Sequence, residues 1–307
     1  MSGLIDVEPG IYPGTPYDQY AKWNALRVST LRFAAYSSKH LKWAMDGRLE
    51  REETDALRLG TAIHMRLLEP DRYEIFMRVA KPCCAVLKSG ARKDQPCGND
   101  SSVCDDSENW YCGQHIPKDV ETRKPTEYVT ADEAAMIEEL NHEIRLHPVV
   151  RLLRQQGGCE LSAVAEVEGV KMKCRIDKLI EPFDNWPHVV LDIKTKRPFT
   201  VNLHKCRTQS AELEYHVQAE VYRRVLRKLK GIEEIAVVHL FVESGPPFDC
   251  VVIQSSETDM HAGNNQFLQW IHTYQEGMAT GKWPGASNEI ETGLLPEWKL
   301  KQAGVML

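Results

Sequence analysis

The stretch CELSAVAEVEGVKMKCRIDKLIEPFDNWPHVVLDIKTK, residues 159–196, decides the fold. Two alternating runs, about 160–167 and 170–180, are separated only by Glu168-Gly169, the two-residue connection that a tight hairpin wants. With Val167 facing Val170, each step outward keeps the sum of the positions constant, and Glu160 lands opposite Asp177. Directly opposed residues share a face of the sheet, so two like charges meet there. Either this is a frayed, solvated strand end or a cation sits between the two acids. A third strand, about 189–195, is apolar except for Asp192 and Lys194. Being two apart, these point to one face while Leu191 and Ile193 point to the other.

An upstream acid followed by D-x-K carries the chemistry of metal-dependent phosphodiester cleavage. Carboxylates hold Mg²⁺, a hard cation that takes oxygen ligands. The metal activates water and offsets charge on the phosphate. The lysine can orient or deprotonate the water, or neutralise the pentavalent state. A lone D-x-K triplet is common by chance. It gains weight here from R-x-D at Arg175 to Asp177 on the preceding hairpin strand. The competing reading of Asp177 is a local pair with Arg175 or Lys178.

The whole chain sets outer bounds. Its 307 residues suffice for one large domain or two small ones, and 42% hydrophobic with 27% charged residues is ordinary for a globular protein. A net charge of −6 gives no overall basic field, yet a nuclease needs only a local basic surface. No apolar run approaches the ~18 residues of a membrane span, and no signal peptide is read at the N-terminus. Nine cysteines are present; Cys159, Cys174, Cys206 and Cys250 are scattered singly, which fits a reduced, cytoplasmic protein.

Residues 1–16 are rich in Gly and Pro and read as irregular. Helices are expected at 17–26 and 30–46, with Ser29 and Ser37 or Ser38 as caps and Gly47 as a stop. A further helix, 54–69, ends at Pro70 and carries GTAIH. Gly60 and His64 share its face, so a backbone or nucleic-acid strand can approach at the glycine with the imidazole one turn along. Thr130-x-x-Glu133 is a capping box opening a helix over 131–146. A long amphipathic helix, 211–229, follows the D-x-K strand and carries Gln218 and Tyr222 one turn apart. Strands at 234–242 and 248–254 precede a last helix, 257–279, capped by Ser256 to Asp259 and with a core stripe of Phe267, Trp270, Ile271 and Tyr274. The order β-β-β-α-β predicts an α/β fold with a central mixed sheet flanked by helices, in which the third strand leads into a crossover helix. The GKWPG and LLPEW tail reads as packing along the surface.

Residues 82–117 stand apart, with five cysteines, few aliphatics and many turn formers. Such a segment cannot bury a hydrophobic core. Cys112-x-x-His115 has knuckle spacing, and with Cys84 and Cys97 it makes a Cys₃His set suited to structural Zn²⁺; Cys83 or Cys104 can substitute. The alternative is a disordered insertion with reactive thiols. Lys88, Arg92 and Lys93 at its tip either meet DNA phosphates or solvate the loop. The chain divides into an N-terminal helical part of the main domain (1–81), the cysteine-rich insertion (82–117), and the core with its C-terminal helix and tail (118–307).

GTAIH, RID, DIK and QAEVY occur in that order, and the string resembles the motifs G-x-x-x-H, G-x-x-D, D/E-x-K and Q-x-x-x-Y of the RecB-type branch of the PD-(D/E)xK nucleases. In detail, GTAIHMRLLEPDRYE, CELSAVAEVEGVKMKCRIDKLIEP, DIKTK and YHVQAEVYRRVL are similar to the RecE (exonuclease VIII) family, as are WPG and LP-x-W in the tail. The resemblance spans roughly residues 20–300, interrupted by the insertion. It implies a PD-(D/E)xK core and a 5′→3′ exonuclease on double-stranded DNA ends, dependent on Mg²⁺ or Mn²⁺. It further implies phage or prophage recombination with a RecT-like single-strand annealing protein, and a homo-oligomeric ring like that of processive relatives. Carried over residue by residue, Asp177, Asp192 and the Ile193 backbone carbonyl are metal ligands with His64 beside them, and Lys194 is the catalytic lysine. Gln218 and Tyr222 line the site and contact substrate, and Glu160 matches the glutamate of a C-E-x-S pattern. Two features depart from the pattern. Cys174 replaces the glycine of G-x-x-D, and the insertion is not part of the core. Some RecB-type nucleases hold an iron–sulfur cluster with three cysteines after Q-x-x-x-Y; only Cys250 follows it here, which favours zinc in the insertion. The rival readings are another PD-(D/E)xK DNase, acting on single strands or flaps, and a DNA-binding accessory protein with a dead site.

Overall fold

The hairpin organises the computed structural model, which describes residues 4–49, 54–123, 127–287, 289, 290, 292, 299 and 302–304. Seven strands form the main sheet: β1 (Gly10–Tyr12), β2 (Leu26–Arg27), β3 (Gly157–Val167), β4 (Val170–Ile180), β5 (His188–Lys196), β6 (Ile235–Glu243) and β7 (Cys250–Gln254). Their spatial order is β1-β3-β4-β5-β6-β7, with β2 against β4. The expected register holds on both sides of the Glu160–Asp177 position, from Val167↔Val170 to Leu161↔Ile176 and from Cys159↔Lys178 to Gly157↔Ile180. Strands β5 and β6 run parallel and all other neighbours on the path are antiparallel, as a crossover after the third strand requires.

Six helices matter for the site: α1 (Ser38–Met45), α2 (Asp55–Leu68), α3 (Ala131–Leu146), α4 (Leu203–Glu212), α5 (Tyr215–Lys230) and α6 (Glu257–Thr280). Two apolar cores lie on opposite faces of the sheet. One joins Val190 of β5 to Val217, Val221 and Val225 of α5 and to Phe267, Trp270 and Ile271 of α6. The other joins Leu191 and Ile193 to Ala62, Ile63 and Met65 of α2 and to Ile137 and Leu140 of α3. The alternation of β5 therefore sends Asp192 and Lys194 to the α5 side.

Several boundaries differ from the sequence reading. The helix expected over 30–46 is interrupted, and Ser37 caps α1 by accepting from the His40 amide. The helix expected over 211–229 is two helices, because Glu214 takes a left-handed conformation between α4 and α5. Within the segment read as irregular, Gly10–Tyr12 adds an edge strand to β3. A three-residue strand shows no periodicity; only its partner creates it. The first helix stops at Ala21, where Lys173 of β4 donates to the carbonyls of Tyr20, Ala21 and Trp23 at 2.8–3.1 Å. The LLPEW part of the tail lies outside the described residues, while Trp283 packs against the α6 core.

In the insertion, the ligand set needs one correction. Cys83, Cys97, Cys112 and His115 converge, and Cys84 does not join them. Adjacent residues of an extended segment point opposite ways. Cys83 faces inward and is buried, whereas Cys84 is exposed, its amide bonded to the Trp110 carbonyl. Cys104 instead packs with Ala80, Trp110 and Tyr128, a small cluster that joins the insertion to the body. Arg92 is not free for phosphate, since it donates to the Pro96 and Cys97 carbonyls at 2.9 Å.

Candidate active site

One edge of β4 is shared. β2 covers it at Met172 and Lys173, and β5 covers it at Lys178 to Ile180. Between these, the edge of β4 opens into a cleft, and β5 runs on past Leu191 unpaired to β4. The Asp177 side chain spans the opening, accepting the Ile193 amide at 2.7 Å in place of a ladder bond. Opposite Asp177, Glu160 has φ +49°, a conformation that L side chains rarely adopt. Its effect shows in the packing. Leu161 faces the α5 core, and Cys159, two residues on, packs against the other one. On β4, Ile176 and Leu179 face the same core although three apart. The alternation thus changes phase at the Glu160–Asp177 pair, which turns both acids toward the cleft. Backbone strain of this kind concentrates at functional sites.

Helix α2 brings His64 to the pair. Its Nδ1 lies 3.6 Å from Asp177, and His64, Glu160 and Asp177 offer ligand atoms all within 4.8 Å of one another. Gly60, one turn earlier, lets α2 close on β5: a Cβ there would stand 3.0 Å from Thr195 Oγ1. Glu160 also pairs with Arg175, so the local partner proposed for Asp177 belongs to Glu160, and Lys178 donates instead to the Leu153 carbonyl.

Behind this trio lies a closed ring of hydrogen bonds. Lys194 Nζ is 2.7 Å from Asp192 and donates to Gln218 Oε1 at 3.1 Å. Gln218 Nε2 donates to Tyr222 Oη at 2.7 Å, and the Tyr222 hydroxyl donates to Asp192 at 3.1 Å. Gln218 and Tyr222, one helical turn apart, thus join Lys194 and Asp192 in the ring. Two further residues, His239 and Tyr215, were not singled out from the sequence. His239 donates from Nδ1 to Asp192 Oδ2 at 3.0 Å, being its register partner on β6. The Tyr215 ring lies 4.3 Å under the Lys194 ammonium. Arg175 holds Glu160. Tyr215 was open to detection, since with Gln218 and Tyr222 it forms an i, i+3, i+7 face; His239 was not, because only strand pairing places it beside Asp192.

Electrostatics separates the acids. Burial, reinforced by the Asp192 charge, pushes Asp177 up to about 7. Glu160 is raised by burial and by Asp177. Burial also works against the Asp192 charge, but Lys194 and His239 outweigh it and hold Asp192 below the usual carboxylate range. Burial disfavours the Lys194 ammonium too, and Asp192 more than offsets this, so the lysine stays charged. His64 is lowered by burial and is neutral at pH 7. Two carboxyls whose ionisation burial and neighbouring acids disfavour, beside a neutral imidazole, are a donor set short of positive charge, which fits a divalent cation. Glu160, Asp177 and His64 would hold it, with Asp192 behind them; Ile193 meets the site through its amide on Asp177.

A family model described as PDDEXK-like domain of unknown function (DUF3799) matches residues 27–293. Among solved structures, one described as "Putative exonuclease" from Eubacterium rectale is similar with 13% identity and a TM-score of 0.52, covering 92% of this chain and 95% of that one. At that identity the likeness bears on the fold alone. The structure of SSO0001 aligns over 44% of this chain and 55% of its own, with 15% identity and a TM-score of 0.22, and carries no argument. No curated protein matches the chain. No helix among the described residues is long and apolar enough to cross a membrane.

Proposed function

Because the chain belongs to this family of PDDEXK-like domains, we propose that it is a divalent-metal-dependent deoxyribonuclease acting at the ends of linear duplex DNA. The observation that carries the reading is the convergence of His64, Glu160 and Asp177 beside a charged Lys194 in the cleft between β4 and β5. A bound Mg²⁺ or Mn²⁺ would acidify water and offset charge on the scissile phosphate. The chain's own residues do the rest. Glu160 and Asp177 would hold the cation as carboxylates, and His64 would supply a neutral nitrogen. Lys194 is kept protonated by Asp192, so it acts as a fixed cation on the phosphate oxygens rather than as the base. The ring through Gln218 and Tyr222 holds Asp192 and Lys194 in place, and His239 adds a further donor to Asp192 Oδ2, the oxygen that Lys194 also meets.

The finer reading is a 5′→3′ exonuclease that leaves 3′ single-stranded tails for a RecT-like annealing protein. It rests on the resemblance of the motifs to RecE-type nucleases. Digestion of linear against circular duplex, with Mg²⁺ and with EDTA, tests the activity. Loss of the linear form alone, absent in Lys194→Ala, supports it; nicking of circles redirects it to an endonuclease, and no cleavage of either form overturns it. Comparing 5′- and 3′-labelled ends then decides the polarity.

A further inference from the structure

The insertion offers four ligand atoms that the nuclease site does not use. We propose that Cys83, Cys97, Cys112 and His115 hold a structural Zn²⁺ ion, a second metal separate from the catalytic cation. Their ligand atoms lie within 4.8 Å of one another. A tetrahedron with Zn–S and Zn–N bonds of about 2.3 and 2.0 Å has sulfur–nitrogen edges of roughly 3.5 Å. The His115 Nδ1 distances bracket that value, at 3.3 Å to Cys112 Sγ and 3.8 Å to Cys83 Sγ.

The surroundings are those of a metal staple. In this part of the insertion the buried cluster consists of Cys83, Cys97 and Cys112, with only Ala85 and Leu87 packed against it. Three thiols and two partly buried aliphatic side chains supply little apolar burial. Yet the backbone around them is built: Cys97 bonds to the Ala85 carbonyl, Gly98 to that of Cys83, and His115 to that of Cys112. The site ties two hydrogen-bonded extended segments (83–85 and 97–98) to the turn at 112–115. All nine cysteines are free thiols in the structure. Four protein ligands close the coordination sphere, so this ion orders the insertion and performs no chemistry. The donor set is soft, with three sulfurs, whereas His64, Glu160 and Asp177 offer mostly oxygen, so the two sites sort different metals.

The test measures metal in the full-length protein, purified without chelator and dialysed against Mg²⁺ buffer. One zinc per chain is expected. Cys83→Ser and Cys112→Ser should lose it, while Cys84→Ser and Cys104→Ser keep it, since neither points at the site. Cobalt substitution of the wild-type protein should give the intense visible absorption and thiolate charge transfer of tetrahedral Co²⁺. Zinc-free wild-type protein, a Cys83–Cys112 disulfide in its intact mass, or zinc lost with Cys84→Ser would each overturn the proposal. All these readouts are independent of DNA cleavage, so the nuclease reading can fail without touching this one.

Discussion

Replacing Asp177 by Asn should stabilise the metal-free protein while abolishing cleavage. The carboxyl is half-buried beside Glu160 and Asp192, and desolvation together with the Asp192 charge pushes it up to about 7 from the ordinary 3.8. A group raised in this way contributes its full stability below the unfolded value and loses it as pH rises through the folded one. At ~1.4 kcal/mol per unit, the ionised side chain costs up to about 4 kcal/mol above pH 7. Water entering the cleft reduces this to about 2–4 kcal/mol, or roughly 4–8 °C in Tm for a chain of this size. Asparagine keeps an oxygen for the Ile193 amide, so the bridge across the cleft survives. Thermal unfolding of both proteins in EDTA from pH 4 to pH 8 measures the difference. It should be near zero at pH 4, grow up to pH 7 and level off above. Added Mg²⁺ should raise the wild-type Tm and leave the variant unmoved. A variant no more stable than wild type at pH 8, or a gap independent of pH, would falsify the account of a cation site built from acids raised by burial and neighbouring charge.

Three other outcomes are expected. Lys194→Ala should lower cleavage by about 10²-fold or more with unchanged circular dichroism, since it removes the fixed cation beside Asp192. His239→Leu should cost about 10–100-fold in activity or Mg²⁺ affinity, read from a metal titration of the rate, because Asp192 Oδ2 loses one of its two partners and Lys194 alone then holds it. Lys173→Met strips three carbonyls of their donor at the end of the first helix and should lower stability by about 2–4 kcal/mol in urea titration, with activity of the folded protein retained.

The sequence by itself determined what depends on near neighbours. Glu168-Gly169 set the hairpin, and the hairpin set Glu160 opposite Asp177, because a two-residue turn leaves one register. Alternation put Asp192 and Lys194 on one face, and helical spacing joined Gln218 to Tyr222. The Thr130 and Ser256 caps gave their helices the starts that were read, since a cap is a contact over three residues. Only the tertiary structure decided the rest. It placed His239 beside Asp192 through a parallel pairing 47 residues apart, and it closed α2 over β5 so that His64 met the two acids. It chose Cys83 over Cys84, because which of two adjacent thiols faces inward depends on the strand that the first of them joins. The phase change at Glu160 belongs here too: a positive φ in a strand leaves no mark in composition or period, yet it turns both acids into the cleft.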